Sequence, residues 1–196
     1  MTTDEIKELL IKDLKPSRYK HTIGVAYTAM ALAMRYELPL RHTEAAGLLH
    51  DCAKCMSDDD LLKYCIDNYI ELSEAELNNH ALIHSKVGAV LARQKYNIEN
   101  EDILDAIRFH TTGRPGMTML EKIIFTADYI EPGRYLASRL DEIRKMAFID
   151  IDACIYMISS DTLHYLEITG CVIDNMTKQT CEFYKEYYEN WRKANE

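Results

Sequence analysis

The chain has 196 residues, of which 47% are hydrophobic and 28% charged, and its 23 lysines and arginines against 32 aspartates and glutamates give a net charge of −9. This length suits one domain with a full hydrophobic core. The acidic balance argues against a broad DNA or RNA groove, because a uniformly acidic surface repels nucleic-acid backbones, whereas a small phosphate ligand needs only a metal or a few arginines.

In chain order, helix signals follow one another from the first residues. Thr2 and Glu5 have the spacing of a capping box. Residues 18–37 are apolar almost all round, which predicts a helix that runs through the core. Thr43 is expected to cap the next helix, over residues 44–54.

The rest of the chain continues in the same way, and no segment alternates apolar and polar residues as a strand would. Apolar residues at helical spacing, carboxylates near helix starts and further capping boxes predict helices over residues 58–69, 84–96, 101–110, 118–129, 140–146, 150–169 and 174–191. We therefore predict an all-α fold, a single helical bundle over residues 1–196. Its core would span about 18–130, with C-terminal helices 139–193 packed on it.

The cysteines and the apolar runs bear on cellular location. The first ten residues lack the pattern of a signal peptide, and no run approaches the roughly 18 apolar residues of a membrane span. Cys52 and Cys55 have CxxC spacing, but they lack the βαβ setting of a redox motif and the second pair of a zinc site. We expect a cytoplasmic protein with reduced thiols and no membrane partner.

Six polar residues stand in or beside apolar helical runs, where an unpaired charge is costly to bury. The pair His50-Asp51 alone carries little weight, because this composition gives about 0.5 such pairs by chance. A lone histidine at a helix end is more often structural. Together, however, imidazoles and carboxylates from five helices suit a divalent iron, manganese, zinc or cobalt ion. The six residues are His21, His50, Asp51, His84, His110 and Asp128.

The sequence segments around these residues resemble those of one protein family. The segments are SRYKHTIGV (17–25), LLHDCAK (48–54), HSKVGA (84–89) and FHTTGRPGMTMLEKIIFTADYIEPGR (109–134). They are similar to the HD-domain metal-dependent phosphohydrolases, in the YqeK-type branch of symmetrical bis(5′-nucleosyl)-tetraphosphatases. The resemblance covers roughly residues 5 to 190 and implies an HD-domain bundle that cleaves diadenosine tetraphosphate into two ADP by metal-activated water attack.

The resemblance also implies roles for individual residues. His21, His50, Asp51 and Asp128 would hold the principal metal, which would be iron, with manganese or cobalt as substitutes. His84 and His110 would face the phosphates or hold a second ion, and with Asp51 they would form the catalytic group. Substrate, or a product-like ADP or GDP, would contact Arg18, His21, Asp51, His84, His110, Thr111, Asp128, Arg134, Ile173 and Lys178.

Several alternatives stay open at this point. The same ligands would serve an HD phosphohydrolase of a nucleoside tri- or monophosphate or of a guanosine alarmone, and a non-catalytic nucleotide-binding regulator is a third hypothesis.

The GRPG run at 113–116 is either a mobile lip over the site or a helix connector. We interpret His42 as a loop or cap residue, His80 as a surface residue and His164 as partly buried in a helix. Aromatic residues near the C-terminus favour a homodimer.

Overall fold

The computed structural model describes residues 1–195, and helices are the only regular elements in that range, which confirms the all-α prediction. The helices are α1 (Thr3–Asp13), α2 (Pro16–Arg35), α3 (Leu40–Leu49), α4 (Asp58–Asp67), α5 (Glu74–Asn78), α6 (His84–Tyr96), α7 (Glu101–Phe109), α8 (Met119–Ile130), α9 (Leu140–Ile149), α10 (Ile151–Thr169) and α11 (Asn175–Asn195). A single 3-10 turn, His80–Leu82, precedes α6.

The prediction that the second helix runs through the core is wrong. One face of α2 is fully buried, including Val25, Ala29 and Leu32, but Tyr27 is 61% exposed and Met34 is 65% exposed. The helix packs on α3 and α8 through its small and branched residues, so its larger side chains are left on the opposite, solvent-facing side.

The prediction that Thr43 caps the third helix is also wrong. The chain turns into α3 directly after Pro39, and Thr43 is buried inside the helix, where its hydroxyl donates to the Pro39 carbonyl oxygen at 3.1 Å. The helix ends at Leu49, so the pair His50-Asp51 lies in the turn that follows it rather than within a continuing helix. This early end directs both side chains toward the neighbouring helices.

The C-terminal helices contact the rest of the bundle. Helix α10 packs against α8, α9 and α11. From α11, the buried Tyr184 hydroxyl accepts a hydrogen bond from the backbone N–H of Met117 at 3.1 Å. Whether the chain unfolds as one domain stays a prediction. None of the helices within residues 1–195 combines the length and apolar character needed to cross a bilayer.

Candidate metal centre

Three histidines enter one buried space from helix ends. His50 and His110 directly follow α3 and α7, and His84 is the first residue of α6. The Nδ1 atom of each lies within 2.7 Å of the carbonyl oxygen three residues earlier, on Gly47, Ile107 and Ala81 respectively. A carbonyl only accepts, so each Nδ1 carries a proton, and each Nε2 is the nitrogen available to a metal.

His21 of helix α2 and Asp128 of helix α8 also belong to the cluster. His21 Nε2 lies 3.0 Å from Asp128 Oδ1, and His21 Nδ1 lies 3.0 Å from Oε1 of Glu131. Glu131 is only 4% exposed and was not among the residues expected from the sequence. A carboxylate accepts, so Nδ1 donates to Glu131, and Nε2 is the nitrogen that faces the cluster.

Asp51 lies at the centre of the four histidines. Its Oδ1 is 3.2 Å from His84 Nε2 and 3.6 Å from His110 Nε2. Its Oδ2 is 3.4 Å from His50 Nε2 and 3.8 Å from His21 Nε2. One carboxylate therefore faces two pairs of imidazoles, one pair through each oxygen, which is the arrangement that a bridging ligand needs.

The donor set fits a divalent cation. The Nε2 atom of His50 is buried and has no hydrogen-bond partner, although a buried polar atom normally has one. Three overlapping groups of ligand atoms each lie within 4.8 Å of one another. The groups are His21, His50 and Asp51; His50, His110 and Asp128; and Asp51, His84 and His110. Imidazole nitrogen and carboxylate oxygen together suit iron, manganese or cobalt.

Three residues of the cluster have protonation states that favour metal binding at neutral pH, whereas at His50 the nearby carboxylates outweigh burial and raise the pKa. Burial alone would raise the pKa of Asp51 and of Asp128, but the surrounding histidines outweigh it and hold both pKa values well below their usual range. Burial, with help from His110 and Lys54, lowers the pKa of His84 to about 4. The site thus presents two carboxylates and, at His84, a neutral imidazole.

Cationic side chains surround this cluster. Arg18 Nη1 lies 2.8 Å from Asp51 Oδ2, and Arg134 Nη2 lies 2.9 Å from Asp128 Oδ1. Lys54 was not among the residues expected from the sequence; its Nζ lies 3.3 Å from Nδ1 of His84, and burial lowers its pKa. These cations partly offset the negative charge of the two carboxylates.

The predicted nucleotide-contacting residues divide into two groups. Thr111 belongs to the cluster, because its Oγ1 lies 3.2 Å from His110 Nε2. Ile173 lies in the loop before α11, and Lys178 is exposed on α11 and forms no hydrogen bond or ion pair within residues 1–195. From the same segment it is Thr177, not selected from the sequence, that lines a cavity of about 50 Å³ together with His110, Thr111 and Asp128.

The remaining histidines and the CxxC pair lie away from the cluster. His42 is exposed in the first turn of α3, and His80 lies beside Asp58 with Nδ1 3.5 Å from Oδ2. His164 is exposed on α10, so the expectation that it is partly buried is wrong. Cys52 is buried and its Sγ donates to the Gly88 carbonyl oxygen, and all six cysteines are unpaired.

The GRPG run is held as a connector. Arg114 Nε lies 2.6 Å from the buried Glu121 carboxylate, and the Arg114 guanidinium stacks on Phe109 at 4.5 Å. Gly113 packs against Thr180 of α11. These contacts favour a fixed segment over a mobile lip.

The HD domain family model matches residues 18–133, which include the whole cluster. The chain belongs to the HD-domain family. It is 40% identical over 168 residues to the symmetrical bis(5′-nucleosyl)-tetraphosphatase of Bacillus subtilis (strain 168), covering 85% of this chain and 88% of the relative. It is 39% identical to the protein of that name from Staphylococcus aureus (strain NCTC 8325 / PS 47), covering 94% and 95%.

A solved structure gives the same result for the fold. It is described as a predicted HD superfamily hydrolase involved in NAD metabolism from Clostridium acetobutylicum. It matches with a TM-score of 0.91 and 37% identity over 95% of this chain and 98% of that one. The resemblance to HD-domain symmetrical tetraphosphatases, first drawn from four short segments, is thereby confirmed over most of the chain.

Proposed function

We propose that this protein hydrolyses diadenosine tetraphosphate symmetrically, to two ADP. The observation that carries the proposal is the cluster itself, in which four imidazoles and two carboxylates lie beside arginine and lysine side chains. The chain is also about 40% identical to proteins named for that activity. Four linked phosphates resist attack because their oxygens are negative, so catalysis requires charge neutralisation at the reacting phosphorus.

His21, His50, Asp51 and Asp128 would hold the principal metal, and His84 and His110 would either face the phosphates or, together with Asp51, hold a second ion. When bound, a divalent ion supplies phosphate charge neutralisation and a water of lowered pKa. We propose iron, with manganese or cobalt as substitutes. Metal analysis of anaerobically purified protein tests this, and a preparation that is fully active with zinc alone would contradict it.

The chain's own residues bind and orient the polyphosphate. Arg18 and Arg134 now pair with Asp51 and Asp128, whose charge a cation would neutralise. Each guanidinium is then free to face a phosphate, to which it can donate two parallel hydrogen bonds. Lys54 adds a point charge beside them, and Thr111 can donate from its hydroxyl.

Asp51, His84 and His110 form the proposed catalytic group at the reacting phosphate. With a pKa of about 4, His84 is neutral at pH 7, and where it does not hold a second ion its Nε2 can accept a proton from the attacking water. His21 and Asp128 line the same space. Ile173 and Lys178 remain proposed contacts to the nucleotide, since their segment adjoins the Thr177 cavity beside His110.

Product analysis tests the reaction. With diadenosine tetraphosphate in H₂¹⁸O, we expect ADP as the only nucleotide product, with one ¹⁸O in half of the molecules. ATP plus AMP would refute symmetrical cleavage. Preferred hydrolysis of a nucleoside tri- or monophosphate or an alarmone would assign another HD phosphohydrolase, and inactivity with every nucleotide at full metal loading would assign a regulator.

A matched pair of variants tests the residues. Asp128 and Asp152 both have side chains that are 22% exposed and paired with a cation, but Asp152 pairs with Lys122 on α8, outside the histidine cluster. We expect Asp128→Asn to lose metal and activity together, while Asp152→Asn keeps both. Equal losses in the two variants would point to a general effect of charge removal and would contradict the assignment.

We also propose a cytoplasmic homodimer. Large apolar side chains lie exposed at Tyr135, Leu136, Tyr165 and Ile168, at 80%, 91%, 60% and 69%. Exposed apolar residues of this kind are typical of an interface, and six unpaired cysteines are typical of a reducing compartment. Light scattering after size exclusion tests the dimer, and a monomer at micromolar concentration would contradict it.

A further inference from the structure

The four histidines of the cluster are not held in the same way. His50, His84 and His110 each direct Nε2 inward by donating from Nδ1 to a carbonyl oxygen in their own turn. His21 has no such local partner. Its Nδ1 instead faces Glu131 Oε1 at 3.0 Å, from a residue 110 positions later in the chain.

We propose that Glu131 is the positioning residue for His21, fixing the imidazole tautomer and orientation that metal binding requires. The inference rests on the proposed function, because it assumes that His21 is a ligand. A carboxylate partner on the second nitrogen of a ligating histidine fixes the ring and raises its basicity. Without it, the proton is free to move to Nε2, and that nitrogen can no longer bind a metal.

The surroundings of Glu131 hold its carboxylate in one place. The backbone N–H of Gly133 donates to Oε2 at 2.6 Å, and the Arg134 N–H donates to the Glu131 carbonyl oxygen at 2.9 Å, closing a tight turn. Arg144 of α9 donates to the carbonyl oxygens of Glu131 and Arg134 at 3.1 and 2.9 Å. One four-residue turn thus supports His21 through Glu131 and Asp128 through Arg134.

Gly24, on the α2 turn after His21, leaves the room that the carboxylate occupies. A Cβ at Gly24 would lie 2.6 Å from Glu131 Oε2, and the atoms it meets belong to that side chain alone. Alanine there would displace the carboxylate without touching a proposed ligand. Since alanine is the better helix former, the substitution favours α2 itself.

The test compares four variants. Glu131→Ala removes both acceptor oxygens, and Glu131→Gln keeps one oxygen for two donors, His21 and Gly133. Gly24→Ala displaces the carboxylate. Glu121→Gln is the control, because Glu121 is also buried, at 1% exposure, on the helix that Glu131 directly follows, but it pairs with Arg114 outside the cluster.

The first readout is the ¹⁵N chemical shifts of the imidazole nitrogens in the metal-free protein, which report the tautomer of each histidine. We expect Nδ1 of His21 to be protonated in the native chain and in Glu121→Gln, because Glu131 accepts from it. In Glu131→Ala and Gly24→Ala, Nδ1 loses this acceptor, so part of the population should carry a proton on Nε2 alone, facing Asp128, while the other three histidines keep their tautomers. An unchanged His21 tautomer in Glu131→Ala would overturn the proposal.

The second readout is cobalt(II) affinity by calorimetry. We expect a loss of about 10- to 100-fold in Glu131→Ala and a smaller loss in Glu131→Gln. Gly24→Ala should lose affinity without losing thermal stability, which misfolding would not produce. Affinity within twofold of the native value in both Glu131→Ala and Gly24→Ala would refute the role. If the native chain binds no cobalt, the proposed function fails, whereas the tautomer measurement still decides the role of Glu131.

Discussion

Gly113 offers a direct test of how the C-terminal helix supports the site. Its φ of 63° lies in the left-handed region, and a Cβ there would lie 2.7 Å from Cγ2 of Thr180 on α11. Alanine therefore meets two separate costs. The left-handed backbone costs about 1–2 kcal/mol for a residue with a Cβ, and overpacking typically costs a further ~1–3 kcal/mol.

The two costs can be measured separately. Gly170 has a φ of 65° and no atom within 4 Å of its ideal Cβ, so Gly170→Ala isolates the backbone cost. We expect Gly113→Ala to lower the free energy of unfolding by about 2–5 kcal/mol and Gly170→Ala by only about 1–2 kcal/mol. Thr180→Ser removes Cγ2 but keeps the hydroxyl that donates to the Met176 carbonyl oxygen, so it should restore much of the difference in the double variant.

Urea unfolding followed by circular dichroism supplies the free energies, and the double-mutant cycle supplies the coupling between Gly113 and Thr180. A cost for Gly113→Ala no larger than that for Gly170→Ala, or no recovery with Thr180→Ser, would contradict a steric conflict between Gly113 and Thr180. A single transition is expected throughout, as for one domain. Because Thr111 lies two residues before Gly113, we also expect a raised KM for the nucleotide in folded Gly113→Ala.

Three further predictions concern charge and metal. Arg134→Ala should raise KM for diadenosine tetraphosphate about tenfold, or ~1.4 kcal/mol, with partial recovery in Arg134→Lys; steady-state kinetics with an unchanged KM would exclude a phosphate contact. In metal-free protein, the pKa of His84 is about 4 when folded against 6.5 as its ordinary value. The unfolded chain therefore binds more protons between these pH values, and stability should fall by up to ~3 kcal/mol as pH drops from 6.5 to 4; an equal fall in His84→Gln, measured by urea unfolding, would contradict this. Removing metal by chelation should lower Tm, and restoring it at 100 times Kd should return about 2.7 kcal/mol; a Tm insensitive to metal in calorimetry would argue against a site in the folded state.

Much of the fold could be predicted because its signals are local. The capping boxes at Thr2, Ser73 and Thr118 all form as their spacing indicates. Errors arose where the outcome depends on neighbours. Composition could not show which side of α2 faces solvent, since that depends on where α3 and α8 pack. Thr43 has the chemistry of a cap but lies inside a helix that begins earlier, at Leu40.

In the candidate site, too, local sequence signals predicted some residues and missed those whose role depends on tertiary contacts. The cluster of four histidines and two aspartates was predicted from polar residues in apolar helices, and the structure brings all six together, although their roles as ligands stay a prediction. Lys54, Glu131 and Thr177 were missed. Lys54 and Glu131 stand in segments that were quoted for other residues, and Thr177 directly precedes the selected Lys178, so only the contacts formed by the folded chain distinguish them. The Glu-Pro-Gly-Arg sequence after α8 held the one available signal, a carboxylate directly before a tight turn.

The difference between local and tertiary contacts suggests an order in which the side chains of the site become oriented for metal binding. Three imidazoles are directed inward by carbonyl groups in their own turns, so their orientation is set as soon as those turns form. His21 depends on Glu131, and Asp128 on Arg134, and both partners lie in one turn that is held by Arg144 of α9. Full ligation therefore requires α2, α8 and α9 to be docked together. Metal bound by all the proposed ligands would stabilise that docking above all, because a ligand that binds only the docked state shifts the equilibrium toward it.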